Sequence, residues 1–176
     1  MKKRIGKLTV ALVAAALTVA PGFANTNNMP KTLEDRVRHE LLMLPYFSIF
    51  DDVGFRVDGS TVYLRGDVRW PVLKSDAEAA VKHVEGVTRV VDDIHVLPLS
   101  PIDNRIRQAE FRAVFGYAGL YRYAMGADPS VRIIVENGHV RLVGFVNSQF
   151  DKNVAGIRAN GVPGVFSVQN DLVVKS

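Results

Sequence analysis

The chain has 176 residues, 48% of them hydrophobic and 23% charged, with no cysteine. That apolar fraction excludes a disordered tail, and the length suits one ordinary domain or two small ones. The missing thiols exclude disulfide scaffolds, thiolate zinc sites, cysteine nucleophiles and a lipid-modified N-terminal cysteine. The formal charge of +4 raises nucleic acid as a partner, so the location of that charge decides its meaning.

Residues 1–24 place Lys2, Lys3, Arg4 and Lys7 ahead of a 13-residue apolar run, and end with Gly22 and Ala24 at the −3 and −1 positions that signal peptidase reads. A membrane-spanning helix needs about 20 apolar residues. The segment is therefore read as a cleaved secretory signal peptide, against the alternative of an N-terminal amphipathic or core helix, and no transmembrane span is expected. Residues 25–30 form a short linker. Removing the leader takes away four cations and no acid, leaving 18 Lys+Arg against 18 Asp+Glu. Binding of nucleic acid by a basic domain then loses its support.

Thr32, with Asp35 three residues on, opens a helix whose apolar face is Leu33, Val37, Leu41 and Leu44, and Pro45 stops it. Strands follow at residues 54–57 and 62–68, joined by the turn Asp58-Gly59-Ser60. A second helix over residues 71–84 gathers Leu73, Ala77, Ala80, Val81 and Val84 on one face, and Gly86 ends it. Val90, Ile94 and Val96 mark a last strand. The order then repeats. Ser100, Pro101 and Asp103 start a helix predicted to bury Ile102, Ile106, Ala109 and Ala113, with Gly116 as its stop. Strands at residues 131–135 and 140–146 flank Asn137-Gly138, the stronger hairpin signal. Ser148 with Asp151 opens a helix burying Ala155, Ala159 and Val162; Gly164 ends it, and Val168, Leu172 and Val174 close the chain.

This is a duplication. Residues 57–96 lie on residues 135–174 at a constant offset of 78, with 13 of 40 positions identical, including Gly66 with Gly144, Gly86 with Gly164 and Asp93 with Asp171. Arg36-Val37-Arg38 matches Arg105-Ile106-Arg107 at an offset of 69, so the second copy carries about nine extra residues before its first strand. Each copy reads α-β-β-α-β, an α/β (α+β) unit with a small three-stranded mixed sheet and helices packed on one face. Glycine is costly in mid-strand, and Gly66 and Gly144 are expected to admit a helix packed close against the strand. Units of about 70 residues bury only about 60% of their unfolded surface. The copies are expected to pack on each other or to form a homo-oligomer.

Two motifs resemble the BON domain, a module named for osmotically induced and nodulation-related bacterial proteins. One is V-x-L-x-G-x-V at residues 62–68 and 140–146. The other is G-V-x-x-V-x-(D/N)-x-(I/L)-x-V at residues 86–96 and 164–174. The resemblance covers residues 31–99 and 101–176, two BON-like domains. It implies an α/β fold in the bacterial envelope, usually the periplasm, and binding of phospholipid membranes or envelope partners under osmotic or envelope stress. It implies no shared catalytic residue. The second copy departs from the pattern by an insertion over residues 116–130.

Phe111, Phe115, Tyr117, Tyr121 and Tyr123 crowd 13 positions beside Arg112 and Arg122. Tyrosines suit headgroup depth and arginine forks bind phosphate. Arg112, Phe115, Tyr117, Tyr121, Arg122 and Tyr123 are therefore the candidate membrane- or partner-binding residues; the alternative is that these rings cover the sheet or the interface between copies. Residues 25–99 carry a net charge of −3 and residues 100–176 a net charge of +3, which favours anionic lipid on the second copy or docking between copies. His39, His83, His95 and His139 form no HExxH or H-x-H pair, and no nucleophile elbow, P-loop or G-x-G-x-x-G occurs. No catalytic residue, metal or cofactor is expected. The expected function is a non-enzymatic envelope protein binding anionic phospholipid headgroups; the alternative is a periplasmic adaptor that binds an envelope protein and never touches lipid.

Overall fold

The computed structural model describes residues 32–126 and 128–175. The leader and linker expected over residues 1–30 lie outside them.

Thr32 Oγ1 accepts from Asp35 N and the Asp35 carboxylate accepts from Thr32 N, both at 3.1 Å. This reciprocal cap starts α1 (Leu33–Leu42), whose buried side is Val37 and Leu41. β1 (Asp52–Asp58) runs antiparallel to β2 (Thr61–Val68) with Asp58 opposite Thr61, so the turn is Gly59-Ser60, and Gly59 takes φ +60°. α2 (Pro71–Lys82) then carries the chain across to β3 (Arg89–Val96), which lies parallel to β2. Strand order is β1-β2-β3. Val62, Leu64 and Val68 point at Leu73, Ala77 and Val81 of α2 and at Val37 and Leu41 of α1, all buried in one cluster.

The second copy repeats the plan. α3 (Pro101–Phe115) is followed by a 3₁₀ turn (Tyr121–Ala124), β4 (Val131–Glu136), β5 (His139–Val146) and α4 (Gln149–Asn160). Asn137 and Gly138 both take positive φ, 51° and 79°, the conformation a two-residue hairpin turn needs. The last strand comes in two pieces, β6 (Ser167–Asn170) and β7 (Val173–Val174), both parallel to β5. Asn170 stands at the break. Its side-chain amide donates to Lys152 O of α4 at 2.8 Å and its side-chain oxygen accepts from Leu172 N at 3.3 Å.

Two expectations are corrected. The buried side of α3 is Asp103, Ile106, Arg107, Glu110, Val114 and Phe115, while Ile102 is exposed. Apolar spacing pointed elsewhere because half of this face is charged. Asp103 turns inward to accept from Asn137 N and Gly138 N at 3.0 and 2.8 Å, and Arg107 donates to Val135 O. The second correction concerns the mid-strand glycines. Gly66 and Gly144 take φ +127° and +114°, and a Cβ on either would stand 2.1 Å from Asp52 O or Ser130 O. The close neighbour is the backbone entering the first strand of each sheet, and no helix is involved.

Residues 31–176 form one unit, and the segment leading into β1 meets β4 at its seam. Ile133 N donates to Ile49 O at 2.9 Å, and Ile49 belongs to the apolar cluster of the second copy. Arg132, nearly buried, donates to Ser48 O and Asp51 O at 3.1 and 3.2 Å and to Asp128 at 2.8 Å, and its guanidinium lies 4.6 Å from the Phe47 ring centroid. The fully buried Asp51 accepts from Ser48 Oγ at 2.6 Å and Arg69 N at 2.8 Å. Beyond it, Arg141 pairs with Asp67. Burial raises the Asp52 carboxyl from its ordinary value, against Arg132 and Arg141, which pull it down.

Candidate functional site

The insertion in the second copy is held by one cluster. Tyr123 Oη donates to Asp151 Oδ2 at 2.8 Å and accepts from Asn147 N at 2.9 Å. The same carboxylate oxygen accepts from Ser148 Oγ at 2.7 Å and from Arg122 at 2.8 Å. Burial pushes the Asp151 carboxyl up, and the Ser148 and Tyr123 hydroxyls with Arg122 more than offset it, so it sits below its ordinary value. The 3₁₀ turn is thereby tied to the start of α4.

This placement divides the six sequence candidates. Phe115, 2% exposed, and Tyr123, 4% exposed, are core residues. Their rings fill the space between α3, the 3₁₀ turn and the second sheet, so neither is an exposed anchor for a membrane or partner. Arg112, Tyr117, Tyr121 and Arg122 are exposed. Arg112 and Tyr121 line an open groove of about 590 Å³ with Phe111, Phe115, Gly116 and Ala118. Arg112 also borders a second groove of about 480 Å³ with Ile102, Arg105, Ala109, Pro163 and Gly164.

Charge is sorted across this helical layer. The acids of α3 and α4, namely Asp103, Glu110 and Asp151, are all buried, and the 3₁₀ turn has none. Arg105, Arg112, Arg122 and Arg158 are all exposed. The first copy differs: Glu34, Asp35, Glu40 and Glu85 stand exposed on and beside its helices. Sequence reasoning missed Ile102, Arg105, Phe150 and Arg158. The available signal was α4, where Phe150 and Ile157 fall on the side opposite Ala155 and Ala159.

Chemistry of other kinds finds little footing. Among the described residues no group of three or more His, Asp or Glu side chains is placed to hold a metal ion. Asp92 Oδ1 accepts from Ile94 N, while His95 Nδ1 lies 3.2 Å from Asp67 and its Nε2 3.9 Å from Glu136 across the seam. Glu110 is fully buried, and neither carboxyl oxygen has a hydrogen-bond partner. Burial alone raises its carboxyl from 4.5 to about 8. Sealed from solvent, it has no path to a substrate.

The BON domain family model matches residues 31–98 and 121–176. The chain belongs to the BON family. Its second match begins at Tyr121, so α3 lies outside the matched residues. The chain is also similar to osmotically-inducible protein Y of Escherichia coli strain K12, at 36% identity over 135 residues, 70% of this chain and 62% of that protein. The BON chain thus aligns with less than two thirds of its relative's length. Among solved structures, the C-terminal domain of CdsD, a structural protein of the type III secretion system of Chlamydia trachomatis, is 13% identical. It covers 80% of this chain and 96% of its own at a TM-score of 0.33. A second CdsD structure gives 15% identity, 81% and 92% coverage and a TM-score of 0.31. Likeness at that level says nothing of function here.

Proposed function

We propose that this BON protein is a non-enzymatic envelope protein that binds anionic phospholipid surfaces through the helical layer of its second copy, in the response to osmotic stress. The sorted charge carries the reading: four exposed arginines and exposed Ile102, Tyr117 and Tyr121 share a layer that shows no exposed carboxylate. Arginine forks match phosphate oxygens, and tyrosine rings suit the headgroup zone. Each cation brought to an anionic surface contributes roughly 1 kcal/mol. Similarity to an osmotically inducible protein supports the physiological setting, and the basic, apolar leader supports a periplasmic location after signal-peptide cleavage. No helix among the described residues is long and apolar enough to cross a membrane, so surface attachment is the mode proposed. The domain boundaries proposed for the two modules are residues 31–99 and 101–176.

Co-sedimentation with vesicles tests this. The protein should pellet with anionic and not with zwitterionic vesicles, and less at higher salt. Arg105→Ser with Arg112→Ser should weaken binding about thirtyfold, the equivalent of two surface cations. Equal pelleting with both vesicle types, or none with either, would overturn the reading.

A further inference from the structure

α4 has a face that the fold leaves unused. Asp151, Ala155, Gly156 and Ala159 are its buried side. Opposite them stand Phe150 and Ile157, spaced i and i+7 and so on one side of the helix, while Val154 at i+4 is half-buried at the edge of that side and packs against the core. Phe150 is 64% exposed and Ile157 71%. The duplication supplies an internal control, because α2 carries Val72, Asp76 and Ala79 at the positions equivalent by the offset of 78. There an acid occupies the centre and a small residue the end. The BON fold therefore forms without this pair.

Cations flank the pair. Arg158 stands between it and α3, its Nε donating to Ala113 O at 2.9 Å, and Arg122 pairs with Asp151, the residue next to Phe150. We propose that α4 lies in the plane of an anionic phospholipid surface with Phe150 and Ile157 inserted at the boundary of headgroups and acyl chains. This inference rests on the lipid reading above and adds to it the element that enters the apolar zone. Charge selects the occupant. Arg122 is already paired with Asp151, but a second copy of the chain packed on this face would bring the Arg158 cations of both copies into one small interface, whereas anionic headgroups would neutralise them. The helix has 12 residues and is about 18 Å long, too short to span and long enough to lie 5–10 Å deep in the interface, roughly the depth such helices reach.

The chain has one Trp, which permits a clean probe. In a Trp70→Phe background, Phe150→Trp should shift its emission to the blue on adding anionic vesicles and be quenched by brominated acyl chains. Phe150→Ser with Ile157→Ser should leave the melting temperature unchanged and weaken binding at least tenfold. Pelleting with unshifted, unquenched Trp emission would overturn insertion and leave lipid binding standing. Failure of the parent protein to pellet would remove both. A blue-shifted emission without vesicles, in a protein sedimenting as a dimer that the double serine variant dissociates, would overturn the inference in favour of self-association.

Discussion

Glu110 is the least accommodated side chain among the described residues. Its counterpart in the first copy, at the offset of 69, is Leu41, which fills the same kind of core position without a charge. A carboxyl with a folded value of about 8, against 4.5 when solvated, holds its proton in the folded chain and releases it in the unfolded chain. Its folded value is raised, so the folded state is favoured fully below about pH 4.5 and loses that advantage as the pH climbs to about 8. The loss is at most about 1.4 kcal/mol per pH unit. Glu110→Leu should be more stable than the parent at pH 8, with the difference shrinking toward pH 5. Glu110→Gln keeps the shape without the charge and should show the same pH trend. Denaturant midpoints at the two pH values measure it, and a parent-to-variant difference that does not change with pH would refute the argument.

At the scale of elements, the cluster that ties the 3₁₀ turn to α4 depends on one hydroxyl. Tyr123→Phe removes the donor to Asp151 and the acceptor for Asn147 N. Unmade bonds of this kind cost about 1–3 kcal/mol. The Asp151 carboxyl is held low, so its contribution to stability exists above its solvated value of 3.8 and fades as the pH falls through that range. The phenylalanine variant should lose stability near pH 7 and lose less than the parent on going to pH 3, with amide exchange rising first at Asn147. The sequence made Asp151 legible as a cap and Tyr123 as an aromatic, and the bond between them, 28 residues apart, was not. Strands, hairpins and helix caps were legible because each depends on neighbours a few residues away. The buried face of α3 was misread because Asp103, Arg107 and Glu110 break the apolar period. The break between β6 and β7 was also hidden, since Asn170 replaces Asp92 without changing the alternation.

The whole molecule depends on a seam that no periodicity could reveal, because Arg132 meets the carbonyls of Ser48 and Asp51 more than 80 residues upstream. Each copy alone is small enough to be marginal, and Ile49 is buried in the core of the other copy. The seam thus joins an acidic copy to a basic one, and it fixes which helical layer can face an anionic surface. Arg132→Met keeps much of the side chain's bulk and removes its donors to Ser48 O, Asp51 O and Asp128. Leaving the Ser48 and Asp51 carbonyls without this donor costs about 1–3 kcal/mol. Trp70 lies in the first copy and is the only indole in the chain, so its fluorescence follows that copy while far-UV circular dichroism follows both. In the parent, the two thermal transitions should coincide. In Arg132→Met they should separate, because this guanidinium holds the turn before β1 onto β4 and its loss leaves Arg141 with Asp67, His95 with Glu136 and the bond between Ile133 and Ile49 as the remaining polar ties. Coincident transitions in the variant would mean that the apolar contact of Ile49 and Phe50 with the second copy holds the unit together without the arginine.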